Sequence, residues 1–194
     1  MPGARSSRGQ MLGLGILVEG GLGLLAWGLG WLLHQPPLEH CSWSLRDLLT
    51  GVAASLPMLL LFLACLRWPY GPLAHLKRFS EEVVRPLFRE SSVWELALIS
   101  LLAGVGEEML FRGVLQGALG RWLGLWAGFA VASLLFGLLH SITPIYALLA
   151  ALLGAYLGWL YLATGNLLVP IAAHAFYDGV ALVYLARGPS PGPG

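Results

Sequence analysis

The chain has 194 residues, 57% of them apolar and 11% charged, with a net charge of +1 and a mean hydropathy of +0.75. A soluble domain carries roughly 25% charged residues, so this composition excludes an ordinary water-covered surface. Lys and Arg form no tract that would neutralise phosphates, which argues against nucleic acid as a partner. Cys41 and Cys65 lack the spacing of a zinc site or a disulfide framework and are read as small apolar residues.

Apolar runs near the ~20 residues needed to cross a hydrocarbon core recur along the chain. They predict an all-α, polytopic membrane bundle of about six spans, at 10–33, 48–66, 93–119, 122–140, 145–163 and 167–186. The first run follows Arg5 and Arg8 but is longer than the ~7 to 15 apolar residues of a signal peptide, so it is read as an uncleaved span. Gln35-Pro36-Pro37, Trp68-Pro69-Tyr70-Gly71-Pro72, Thr143-Pro144 and Thr164-Gly165-Asn166 punctuate the runs. The Gly-Pro tail, 187–194, is expected to be disordered.

Between the second and third spans, Leu73, Leu76, Phe79, Val83 and Leu87 recur at near-helical spacing among Lys77, Arg78, Arg85 and Arg89. This predicts an amphipathic interfacial helix. Its basic excess, with Arg5, Arg8 and Arg187, puts the linker and both termini on the cytoplasmic side, as in a bacterial-type inner or plasma membrane. Residues 1–92 then form an N-terminal hairpin with its linker, and 93–186 carry the chemistry. Gly113/Gly117, Gly124/Gly128 and Gly154/Gly158 are spaced for close helix packing. The tryptophans mostly mark span ends, where they anchor to the interface.

An ionisable side chain deep in a span costs about 2.5 to 3.5 kcal/mol on insertion scales and is expected to face protein or water. The later spans hold Glu107, Glu108 and Arg112, then His140, then His174 and Asp178. Residues four apart share a helix face, so Glu108 pairs with Arg112 and Asp178 accepts from His174, while Glu107 turns toward a cavity. A carboxylate near two imidazoles suits hydrolysis of an amide by activated water. Neither Ser133 nor Ser141 stands in a Gly-x-Ser-x-Gly setting, and no His-Glu-x-x-His is present. Glu19, His34, His40 and His75 are assigned no role.

Glu107-Glu108-Met-Leu-Phe-Arg112, Phe136-Gly-Leu-Leu-His140 and His174-Ala-Phe-Tyr-Asp178 resemble, in order, the Glu-Glu-x-x-x-Arg, Phe-x-x-x-His and His-x-x-x-Asn/Asp motifs of the CPBP (Abi) family. That family comprises CAAX prenyl proteases and bacteriocin-processing relatives. The resemblance implies an intramembrane endopeptidase acting on a membrane-associated, in some relatives lipidated, peptide. Glu107 would activate water, His140 would position it, His174 with residue 178 would stabilise the oxyanion, and Glu108 with Arg112 would orient the site. Family members are named metalloproteases, and Glu107, His140, His174 and Asp178 are reasonable zinc ligands; a zinc site and a metal-free glutamate mechanism stand as equal alternatives. A non-catalytic scaffold or immunity protein is the second reading and a small carrier the third. One expectation cuts against convergence. Counted at ~1.5 Å per residue, Glu107 falls near mid-membrane, His140 near the cytoplasmic end and His174 in the outer half.

Overall fold

The computed structural model describes residues 2–188 and, within them, the side chains from Gly9 onward except that of Met11. The expected disordered tail lies almost wholly outside the described residues, as do the side chains of Arg5 and Arg8. Every regular element among the described residues is a helix, in the order α1 (Pro2–Leu32), α2 (Leu45–Ala54), α3 (Leu56–Arg67), α4 (Pro72–Phe79), α5 (Arg85–Phe88), α6 (Val93–Glu108), α7 (Gly117–Leu123), α8 (Leu125–Leu139), α9 (Pro144–Thr164) and α10 (Leu168–Arg187). π-helical segments at Ser80–Val84 and Met109–Gln116 join α4 to α5 and α6 to α7. Four of these rods, Leu12–Leu32, Leu45–Arg67, Pro144–Thr164 and Leu168–Arg187, are long and apolar enough to cross a membrane, and Leu125–Leu139 is a shorter apolar helix. With the composite helix 93–123 they make the six expected rods of an integral membrane protein.

Local chemistry sets the element ends. Ser92 and Glu95 form a reciprocal capping box that opens α6, satisfying backbone donors that the first turn leaves unpaired. Thr143 accepts from Tyr146 N–H and Pro144 occupies the first turn of α9, where a missing N–H costs nothing. Gly165 closes α9 at φ 64°. Gly124 turns the chain between α7 and α8 at φ 92°, so the second Gly-x-x-x-Gly pair divides its work. Gly124 makes the turn and has open space where a Cβ would be, while Gly128 packs directly on the backbone of Gly120.

The other small-residue pairs do pack as expected. A Cβ at Gly113 would strike Pro37, one at Gly117 the Gln35 side chain, and one at Gly154 the Phe136 ring. Gly104 lies against Ala175 and Gly51 against the Val169 carbonyl, which locks α10 between α6 and α2 in a fixed register. Without a hydrophobic drive between helices in lipid, such close backbone approach is what holds a bundle together. Trp31, Trp43, Trp94, Trp122 and Trp126 are exposed near helix ends or in loops, as anchors should be.

The linker departs from a simple interfacial helix. The π-helical turn at Ser80–Val84 rotates its face, so that Leu76, Phe79 and Val84 point to an interior cavity while the expected apolar residues Val83 and Leu87 are exposed. The linker therefore covers the cavity as well as lying along the bundle's end. Arg187 donates to the Ser91 carbonyl at 2.9 Å and Arg85 to the Gly188 carbonyl, tying the linker to the end of α10.

Candidate active site

The convergence that simple depth counting disfavours is produced by unequal helix lengths. The composite helix from Val93 to Leu123 spans about 45 Å at ~1.5 Å per residue, whereas α8 after the Gly124 turn has only 15 residues. Descending about 22 Å, α8 ends at the level of the Glu107–Glu108 pair, and His140 caps it there. On the other side, the Gly104–Ala175 contact sets α10 so that His174 meets the same pair.

Glu108 is fully buried, and its Oε1 receives both Arg112 Nη1 at 2.8 Å and His174 Nδ1 at 2.8 Å. Arg112, 1% exposed, also donates from Nη2 to the Gly154 carbonyl at 2.7 Å and lies 4.6 Å from the Phe136 ring centroid. A charge taken this far from water must have partners, and the carboxylate, the carbonyl and the ring face supply them. The expected Glu108–Arg112 pair is thus present; the Glu108–His174 bond is an addition that i,i+4 spacing cannot reveal, because it joins two helices.

Glu107 turns away from that pair to line the cavity, and its Oε2 is buried without a hydrogen-bond partner among the described residues. That oxygen stands 3.7 Å from His140 Nε2. His140 donates Nδ1–H to the Phe136 carbonyl at 2.8 Å, so the neutral ring presents Nε2 as an acceptor. The imidazole stacks on Phe136 with centroids 4.5 Å apart. On α10, His174 Nε2 faces Asp178 Oδ2 at 3.5 Å, the i,i+4 contact expected. All six sequence-selected residues therefore meet in one cluster, joined by Phe136.

The cavity beside this cluster measures about 270 Å³. Its walls are mostly apolar, from α3, the linker, α9 and α10, with Glu107, His140, His174 and Asp178 at one side. Tyr146, Tyr177 and Cys65 also line it; the sequence reads Cys65 as a small apolar residue and singles out neither tyrosine. Tyr146 follows the Thr143-Pro144 helix start by a fixed interval, and Tyr177 precedes Asp178, but no spacing rule marks a phenol as facing a cavity. Glu19, assigned no role, sits where α1 crosses Gly106, with an Oε2 that is buried and has no hydrogen bond among the described residues.

Zinc needs three or more donors around one point. Among the described residues no three His, Cys, Asp or Glu side chains come together in that way. The groups stand in pairs instead, His140 Nε2 toward Glu107 at 3.7 Å and His174 Nε2 toward Asp178 at 3.5 Å. As arranged, Glu107, His140, His174 and Asp178 form two imidazole–carboxylate pairs and are not gathered around one point.

Residues 89–180 match the family described as type II CAAX prenyl endopeptidase Rce1-like. An uncharacterised protein of Bacillus subtilis (strain 168), YpbD, is 33% identical over 141 residues, covering 71% of this chain and 70% of that protein. No solved structure matches the chain. The matched segment holds the capped start of α6, the π-helical turn and all six clustered polar residues, and the similarity to YpbD runs well beyond it. The chain belongs to the Rce1-like family of type II CAAX prenyl endopeptidases.

Proposed function

We propose that this protein is an intramembrane endopeptidase that hydrolyses a peptide bond with a Glu107-activated water. The observation that carries the reading is the 3.7 Å gap between the unbonded Oε2 of Glu107 and the acceptor Nε2 of His140. That separation is too long for a direct hydrogen bond, and a water set off the line between the two atoms, on the cavity side, reaches both. Such a water gives one hydrogen to each acceptor and turns a lone pair toward the cavity.

In the reaction the water oxygen bonds to the scissile carbonyl carbon as Glu107 takes a proton. The carbonyl oxygen becomes an oxyanion beside His174. The C–N bond then breaks, and Glu107 passes its proton to the departing nitrogen, leaving a carboxylic acid and an amine. Glu108 and Arg112 are positioning residues; they hold His174 from behind through Nδ1. Asp178 accepts from His174 Nε2 and orients it, since an ionised carboxylate has no hydrogen to offer an oxyanion.

The mostly apolar cavity beside the polar cluster supports a substrate held in the membrane by an apolar or lipid segment near its cleaved bond. We place the linker, His140 and both termini toward the cytoplasm, in a bacterial-type inner or plasma membrane, on the basic residues of the linker and Arg187. The test is turnover of a quenched-fluorescence peptide library in detergent by wild type, Glu107→Gln, His140→Ala and His174→Ala. Losses above about 100-fold in each are expected. Equal turnover in all four would leave a non-catalytic scaffold as the function.

A further inference from the structure

Hydrolysis of an amide develops negative charge on the carbonyl oxygen, and preorganised donors aimed at it are commonly the largest source of rate enhancement. Resting on the peptidase reading above, the donor inventory of the cavity comes out one short. His174 supplies Nε2–H, shared with Asp178 at 3.5 Å. Asp178 accepts only. His140 has its N–H on the Phe136 carbonyl, and Arg112 has its guanidinium on Glu108 and the Gly154 carbonyl. The hydroxyl of Ser80, on the cavity wall, donates to the Leu76 carbonyl at 3.0 Å.

Two phenols remain among the described cavity-lining residues, Tyr146 and Tyr177. They differ in where they stand. Tyr177 packs edge-on against Phe62, with centroids 6.4 Å apart, and leans on the apolar cluster of Met58, Leu157 and Val169. Tyr146 lies on the side of the Glu107–His140 couple, its ring centroid 6.4 Å from that of His140. It occupies the first turn of α9, where Thr143 Oγ1 receives its backbone N–H at 3.2 Å, and the Phe79 ring of the linker lies 6.5 Å away. A two-torsion side chain on a capped turn between two rings is held with little freedom to lose. Its hydroxyl forms no hydrogen bond among the described residues, which leaves the proton available.

We propose that the Tyr146 hydroxyl is the second oxyanion donor, meeting the carbonyl oxygen of the scissile bond opposite His174. Tyr146 is then a catalytic residue supplied by the fifth span, which carries none of the three sequence motifs. It neighbours the linker through Phe79, whose ring helps to fix the donor's position.

The experiment measures kcat and KM on a single cleaved peptide from the quenched-fluorescence library, with wild type, Tyr146→Phe, Tyr177→Phe, Tyr156→Phe and Glu107→Gln. Tyr156 lies on the same helix, outside the cavity, and donates to the Ala54 carbonyl. Tyr146→Phe is expected to lower kcat by about 100-fold, the usual loss of one oxyanion donor, with KM and the thermal midpoint unchanged. Tyr156→Phe is expected to keep wild-type kcat. If Glu107→Gln is inactive while Tyr146→Phe keeps wild-type kcat, or if the loss falls on Tyr177→Phe instead, the assignment of Tyr146 is overturned and the peptidase reading stands. If Glu107→Gln turns over like wild type, both are overturned.

Discussion

His174 Nδ1 and Arg112 Nη1 bond the same atom, Glu108 Oε1, each at 2.8 Å. A single buried oxygen thus couples the third and sixth spans, and Arg112 extends the link to the fifth through the Gly154 carbonyl. Removing one partner of such a buried pair leaves a charge without compensation, at a cost of about 3–5 kcal/mol. Arg112→Met and Glu108→Gln are each expected to lower the thermal midpoint in detergent sharply. The double variant is expected to recover part of the loss, and strictly additive losses would refute the coupling.

Glu107 should behave in the opposite way. Its Oε2 is buried with no hydrogen-bond partner among the described residues, so the site stores an unfavourable burial that function requires. Glu107→Gln is expected to abolish turnover while keeping or raising the thermal midpoint. A midpoint that falls as far as in Glu108→Gln would mean that Glu107 is a structural ion-pair member.

The Gly104 contact sets where His174 stands. A Cβ there would lie 2.8–3.0 Å from Ala175 Cβ, N and Cα, and backbone cannot swing aside as a side chain does. Gly104→Ala is expected to displace α10, to cost about 1–3 kcal/mol and to reduce kcat with it. Gly20→Ala, where a Cβ meets nothing within 4 Å, is expected to gain about 0.5–1 kcal/mol from helix propensity. Thermal unfolding and turnover of the two variants in parallel provide the check.

Asn166 holds the start of α10. Its amide donates to the Ser42 carbonyl and to Asp47 Oδ2, both at 2.8 Å, and its carbonyl oxygen accepts from the backbone of Ser42 and Leu168. Asn166→Ala strands the buried Leu168 N–H at about 1–3 kcal/mol and releases Ser42 and Asp47, which are open to solvent and can bond to it instead. Hydrogen exchange should show faster opening of the first turns of α10, with α8 unaffected.

The pairwise arrangement of acids and imidazoles leads to a definite expectation about metal. Turnover should survive exhaustive chelation, and purified protein should carry far less than one zinc per chain. Loss of activity on chelation, restored by added zinc, would require the four side chains to rearrange around an ion and would retire the metal-free mechanism.

Composition and run length alone determined that this is a membrane bundle, because a chain 57% apolar cannot fold with its helices in water. Spacing alone determined the pairs within one helix: Glu108 with Arg112 and His174 with Asp178, since four residues bring side chains onto one face. Which helices meet, and at what height, lay beyond both. The level shared by Glu107 and His140 depends on α8 being only 15 residues long, and the Glu108–His174 bond depends on Gly104 admitting α10 so closely. The linker's inward face depends on one π-helical turn, and the phenol beside His140 on how α9 crosses the bundle. These are consequences of backbone contact between distant segments, and only the tertiary structure decides them.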